Sequence, residues 1–380
     1  MNALITGGYG FIGSALAERL FKEGYNIFII DNLSSNAVST LKAKHVFYQL
    51  NVGDRLCEDV FRINNIDAII HLAVADATGI EEHKTNQLSL TNILAMAQKY
   101  EVKQVICAFS AFFSPDAKLL AHDGQPLEMP VSLEKTWHTT AFDYCLDYRR
   151  LYGMNIVALF LANVYGPRQN KGVLKEFTER VFHNRPLIVY GDGRQTRDFV
   201  HVDDVVDAVY RMISRNYQGE RLTVSSNSET SVNDCLEIFK ELADFDVERV
   251  QARPGDIDRM SADNSVCRDE LGWWIKYGIR EGIVAVCYWY KNSLTSAAKE
   301  TTKTDKKVFS QNIRPYIENL VFFGVMVALS RFAYDNSIVD PNINLDYNFV
   351  YILTMGILYG KQQSIPATIL SSILLSYNVI

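Results

Sequence analysis

Thr6-Gly7-Gly8-Tyr9-Gly10-Phe11-Ile12-Gly13 stands directly after the apolar run Ala3-Leu4-Ile5 and opens a stretch with Ile12, Leu16 and Leu20 at helical spacing. A short apolar strand, a glycine-rich turn and an amphipathic helix, in that order, form the start of a βαβ unit that cradles a phosphate. The glycines have separate duties. Gly7 permits the tight turn, Gly10 lets a pyrophosphate approach the backbone, and Gly13 lets the helix lie close on the strand. Phe11 and Ile12 begin the helix, whose first N–H groups lack partners within it and are directed at the phosphates.

Working outward, short apolar runs alternate with amphipathic stretches. Ala3–Thr6, Ile27–Ile30, His45–Leu50, Ala68–Leu72, Val105–Cys107 and Val157–Leu161 have strand length. Continuous apolar strands separated by helices predict an α/β fold: a doubly wound, Rossmann-type parallel sheet covered on both faces. The alternation continues less regularly with a helix at Leu174–His183, a strand at Leu187–Tyr190 and a helix at Asp204–Ser214, which predicts a smaller substrate lobe. Asp31-Asn32 ends the second strand roughly 20 residues beyond the glycine turn, where a carboxylate accepts the ribose hydroxyls of a dinucleotide. No arginine follows to offset a 2′-phosphate, so the expected cofactor is NAD rather than NADP.

The net charge of −6 argues against a nucleic-acid partner. Six cysteines lie scattered, with no CxxC pair and no histidine-rich run, so no metal site is expected and the thiols suit a reducing compartment. Met1 leads directly into a strand that the fold needs, which leaves no room for a signal peptide. Beyond a polar linker at 293–313, charge becomes scarce. The apolar stretches Ile317–Tyr334, Phe349–Tyr359 and Ile365–Ile380 predict a membrane region over 314–380 with two to three transmembrane helices. Lys299, Lys303, Lys306, Lys307 and Arg314 precede it, an aspartate-containing loop at 335–348 without lysine or arginine follows the first stretch, and Lys361 follows the second. Basic, acidic, basic flanks place the preceding domain on the cytoplasmic side of a cell membrane. The last apolar stretch runs up to Ile380, which leaves a continuation open.

Further motifs narrow the reading. His71-Leu72-Ala73-Val74 follows the fourth strand, and Asn86 precedes Asn92-Ile93-Leu94. Asn163-Val164-Tyr165-Gly166-Pro167-Arg168-Gln169 follows the sixth. Tyr190-Gly191-Asp192-Gly193-Arg194-Gln195-Thr196-Arg197-Asp198-Phe199-Val200-His201-Val202-Asp203-Asp204 and Arg253-Pro254-Gly255-Asp256 come later. In this order they resemble the extended short-chain dehydrogenase/reductase family of nucleotide-sugar epimerases and dehydratases. The resemblance covers about residues 1–292, with an NAD-binding core at about 1–162 and a substrate lobe at about 163–292. It implies that Asp54 bonds the adenine, that Leu72 and Ala73 lie beside the cofactor, and that Asn86 is a structural asparagine. It further implies that Asn163 touches the phosphates of a UDP-sugar, and that Arg197 and Arg253 bind its diphosphate, as forked permanent charges suit.

The same family uses a Tyr-x-x-x-Lys pair and a nearby serine for hydride chemistry. Ser110 occupies the serine position. Counting back from Tyr152-Gly153 puts Glu134 at the tyrosine and His138 at the lysine, on one helical face. A different register does not restore the pair, since Tyr144 is followed at i+4 by Tyr148, and Tyr148 by Tyr152. Ser114-Pro115 and Phe160 depart from the pattern as well. Two functions follow as expectations. One is a catalytically degenerate, membrane-tethered sensor or scaffold, a pseudoenzyme that binds NAD and nucleotide sugar. The other is an active epimerase or dehydratase in which Glu134 and His138 exchange protons. A degenerate head ahead of apolar helices beginning Ile317-Glu318-Asn319-Leu320 resembles, in arrangement, the membrane-anchored regulators of Pel-type exopolysaccharide synthesis. That implies polysaccharide synthase components as partners; a homodimer is also open.

Overall fold

The computed structural model describes residues 1–34, 41–75, 79–127, 132–253 and 256–295. Met1–Lys291 forms one compact unit; of the second, Asn292–Ile380, residues 292–295 are described and helical. In the first half the elements are β1 (Asn2–Thr6), α1 (Phe11–Lys22), β2 (Asn26–Asp31), β3 (His45–Gln49), α2 (Cys57–Ile63), β4 (Ala68–His71), α3 (Ile80–Lys99), β5 (Gln104–Ser110), β6 (Ala117–Leu120), α4 (Leu133–Tyr152) and β7 (Ile156–Leu161). The second half adds β8 (Asn163–Tyr165), α5 (Val173–Phe182), β9 (Leu187–Tyr190), β10 (Thr196–Arg197), β11 (Phe199–His201), α6 (Val202–Ser214) and β12 (Arg221–Val224). It closes with β13 (Thr230–Ser231), α7 (Val232–Lys240), β14 (Val247–Val250), β15 (Arg259–Ala262) and α8 (Ser265–Leu271).

Seven strands form one parallel sheet in the order β12-β7-β5-β4-β1-β2-β3. The central strands are buried along their length, as β4 and β7 show, because helices cover both faces. At the edge, β3 mixes exposed and half-buried residues and carries the polar His45 and Gln49. Leu16, Ala17 and Leu20 of α1 are fully buried, which is the face that the i, i+4 spacing marks. Burying each such leucine contributes about 1.5–3 kcal/mol.

A second core, around Tyr165, Leu174, Phe177, Leu187, Val189, Leu236, Phe239 and Ile283, holds the lobe together. The lobe is narrower than the stretch 163–292. Arg221–Val224 returns to the main sheet as its edge strand beside β7, and α6 and α8 supply Val205, Val209, Met212, Cys267 and Leu271 to the main core. The crossover through α6 is what allows a parallel partner for β7. Among the described residues no helix is long and apolar enough to cross a membrane. The apolar stretches expected between 314 and 380 lie outside the described residues.

Candidate functional site: a cleft at the strand ends

One cleft of about 1150 Å³ runs along the carboxyl ends of the sheet strands and on to the lobe. It is lined by Gly7, Gly10, Phe11, Ile12 and Gly13 after β1, by Asp31 and Asn32 after β2, and by Leu72 and Ala73 after β4. The open end of a parallel sheet is where loops diverge and a ligand can enter.

The glycine turn is built by close approach. Gly7 has φ +70°, and a Cβ there would lie 3.0 Å from the backbone of Leu72 and Ala73. A Cβ on Gly13 would come within 2.2 Å of the carbonyl oxygen of Gly7, which is backbone and cannot step aside. The Thr6 hydroxyl fastens the turn to the neighbouring strand: it bonds His71 Nδ1 at 2.8 Å and accepts from the N–H groups of Leu72 and Ala73 at 3.2 and 3.3 Å. Burial pushes His71 down to about 4, so its ring is neutral. Asn86, on α3, exchanges two hydrogen bonds with the backbone of Ala75, at 2.9 and 2.7 Å, and so holds the loop after β4.

Asp31 is buried, with one carboxylate oxygen accepting from the Tyr9 N–H at 2.9 Å and the other from the Leu33 N–H at 2.7 Å. Each oxygen keeps acceptor capacity toward the cleft, since an ionised carboxylate offers about four lone-pair sites. Asp54 is exposed and is not among the cleft-lining residues. It forms a turn in which its N–H donates to the Asn51 carbonyl and its own carbonyl accepts from Cys57. Leu50, Asn51 and Val52, the segment that follows β3, line the cleft instead. Strand-end position was the signal that could have singled them out.

Ser110, Glu134 and His138 face the middle of the cleft together. Ser110 ends β5, where its hydroxyl accepts from the Phe112 N–H at 3.3 Å and retains a proton to donate. Ser132 caps α4 by accepting from the Lys135 N–H, which sets the first turn that carries Glu134. One turn on, His138 stacks on Phe113 with ring centroids 4.4 Å apart and meets Phe109 edge-on. Burial in this aromatic setting pushes the imidazole down to about 4, and its Nδ1 has no hydrogen-bond partner. Among the described residues, Glu134 and His138 are the cleft-lining members of α4; Tyr144, Tyr148 and Tyr152 are not among them. The other departures are absorbed by packing. Phe160 is buried between Phe109 and Phe142, and Ser114 ties the turn after β5 to Thr223 on β12 and to Asp116.

At the lobe end stand Asn163, Arg197 and Arg253, with Val189, Tyr190 and Phe199 as an apolar wall and Gln169, Lys171 and Gln195 as further polar lining. The spacing of the motifs did not mark these last six as lining. Arg197 donates to the carbonyls of Thr196 and Ile257, at 2.8 and 2.7 Å, and pairs with Asp256. An anionic ligand would compete with Asp256 for a guanidinium already aimed into the cleft. Arg253 lies over the Tyr190 ring, 3.9 Å from its centroid. Much of the long motif is structural. Asp198 is buried and accepts from Ser226 and the Ala262 N–H, and Asp204 accepts from the N–H groups of Lys276 and Tyr277. In the earlier motif from Asn163 to Gln169, Arg168 grips Glu18.

Comparison with known proteins agrees with this geometry. Residues 3–225 match the NAD dependent epimerase/dehydratase family. A putative UDP-glucose 4-epimerase of Methanocaldococcus jannaschii is 30% identical over 304 residues, covering 76% of this chain and 98% of that protein. The structure of a Thermotoga maritima UDP-glucose 4-epimerase with UDP-glucose superposes with a TM-score of 0.69 at 29% identity, over 77% of this chain and all of that one (100%). A Thermus thermophilus UDP-glucose 4-epimerase in complex with NAD gives a TM-score of 0.67 at 26% identity, over 77% of this chain and 99% of the other. NAD is the cofactor of the family.

Two outcomes are expected from calorimetry on the full chain. Asp31→Ala should weaken NAD binding and narrow the preference over NADP; a wild type that prefers NADP would contradict the role of Asp31. Replacing either Arg197 or Arg253 by alanine should cost about 1–3 kcal/mol of UDP affinity, the range for a charged hydrogen bond. Unchanged affinity in both single variants would remove the arginines from the site.

Proposed function

We propose that this chain, which belongs to the NAD dependent epimerase/dehydratase family, binds NAD and a UDP-sugar in its cleft and turns the sugar over slowly or not at all. The observation that carries this reading is the cleft face of α4, which presents Glu134 and His138, the two positions to which the resemblance assigns a tyrosine and a lysine. Oxidising a sugar hydroxyl with NAD needs a base for the departing proton and a positive charge to hold that base ionised near neutral pH. A neutral imidazole supplies no such charge, and a glutamate side chain is shorter than tyrosine. Ser110 can polarise a hydroxyl but does not accept its proton at neutral pH.

The active reading has its own support. Glu134 and His138 both line the cleft beside Ser110, and a carboxylate can act as a base where it reaches the hydroxyl. Residues 314–380 belong to the proposal as a membrane tether, with the cofactor-binding domain on the cytoplasmic side. The support is the three apolar stretches and their alternating flanking charge. Service to cell-surface polysaccharide synthesis, as sensor or scaffold, follows from joining such a domain to such a tether.

Turnover over a panel of UDP- and dTDP-sugars at saturating NAD should fall short of ordinary enzyme rates by roughly 10²–10⁴-fold, the share of general-base help. Rates of about 1 per second or more in the unmodified chain would overturn the silent reading and make Glu134 and His138 catalysts. Activity gained only in the double variant Glu134→Tyr, His138→Lys would show pockets retained and the base lost. For the tether, the expressed full chain should fractionate with membranes and require detergent for release. Recovery as a folded monomer in the soluble fraction would exclude it.

A further inference from the structure

His45 opens the edge strand β3, and Phe47 follows two residues on, on the same face of that strand. The Tyr9 ring meets both edge-on, with centroids 5.7 Å from His45 and 4.8 Å from Phe47. Its hydroxyl lies 2.9 Å from His45 Nε2, and His45 Nδ1 lies 2.7 Å from the Ala43 carbonyl oxygen. A carbonyl only accepts, so Nδ1 carries a hydrogen, and Nε2 of the neutral ring is the acceptor that receives the Tyr9 hydroxyl. The backbone N–H of the same tyrosine donates to Asp31 at 2.9 Å. A side chain fastened to β3 therefore holds the peptide that grips the carboxylate at the end of β2.

In Gly7-Gly8-Tyr9-Gly10 only Tyr9 has a side chain with which to anchor the turn. The other grip on Asp31 is local: the Leu33 N–H, at 2.7 Å, comes from its own loop, with Leu33 in the left-handed region at φ +59°. A donor two residues along moves with Asp31, whereas Tyr9 belongs to a separate segment and fixes the carboxylate relative to the glycine turn. Neither Tyr9 nor His45 is among the cleft-lining residues, so both act from behind the site. We infer that Tyr9, braced by His45, is a positioning residue that sets the orientation of Asp31 toward the adenosine ribose and so sharpens the choice of NAD over NADP. This rests on the reading of Asp31 as the ribose acceptor and adds the groups that aim it.

The test is calorimetry on the full chain with NAD and NADP as probes. Tyr9→Phe keeps the ring and removes the hydroxyl, and His45→Ala removes its acceptor. Each should weaken NAD binding by about three- to tenfold, the worth of one hydrogen bond, and weaken NADP binding less, so that the preference narrows. His45→Gln, whose side-chain carbonyl can accept from the Tyr9 hydroxyl, should restore NAD binding to within about twofold of the wild type. In an Asp31→Ala background, Tyr9→Phe should change NAD affinity by less than about twofold, because residues that act through one another are not additive. Equal losses for NAD and NADP, or a loss that persists without Asp31, would reduce Tyr9 to packing in the turn and overturn the inference. Unchanged NAD binding in both Tyr9→Phe and His45→Ala would overturn it as well. A wild type that does not prefer NAD, or an Asp31→Ala variant that binds it as well as the wild type does, overturns the underlying reading of Asp31 instead.

Discussion

The approach of α1 to β1 sets the position of every other part of the cleft. With no side chain at Gly13, the first turn of α1 lies against the Gly7 carbonyl, at a separation where a Cβ would sit 2.2 Å from that oxygen. The helix N-terminus and its free N–H groups are thereby brought to the end of the central strand. Thr6 then transfers this placement sideways, since its hydroxyl takes hydrogen bonds from the first two residues after β4 and one from or to His71. Asn86 extends the chain of contacts from the loop after β4 to α3. The walls of the cofactor half are thus positioned by backbone packing and a few buried polar groups, each of which is costly to leave unpaired.

The middle of the cleft obeys a different constraint. His138 is fixed by aromatic rings, stacked on Phe113 and edge-on to Phe109, and Phe109 in turn packs on Phe160. An uncharged ring suits that setting and an ammonium group would need a partner there, because desolvation penalises the charged form. The uncharged imidazole and the aromatic lining around it are therefore physically consistent with one another.

The diphosphate end shows how a motif divides between binding and structure. In the long run from Tyr190 to Asp204, Tyr190, Gln195, Arg197 and Phe199 line the cleft. Asp198 and Asp204 are spent on buried hydrogen bonds that join the lobe to the strands and loops behind it. Burial pushes both carboxyl groups up, and the hydrogen bonds they accept pull in the other direction. Such a motif thus supplies the anchors behind the cleft as well as the groups that line it.

Local chemistry alone determined the parallel sheet, the glycine turn, the position of Asp31 and the shared helical face of Glu134 and His138. Apolar runs of strand length, glycines at fixed spacing and an i, i+4 pair are properties of neighbours along the chain, so they can be read without knowing the fold. Only the tertiary structure decided that Asn51 and Val52 line the cleft while Asp54 turns outward. The same holds for the return of Arg221–Val224 to the main sheet and for the pairing of Arg197 with Asp256. Those facts depend on which segments meet across long stretches of chain, and that is settled by the burial of whole faces rather than by any residue's own preference. The neutrality of His138 belongs with them, since a histidine's charge is set by the rings that exclude water from it.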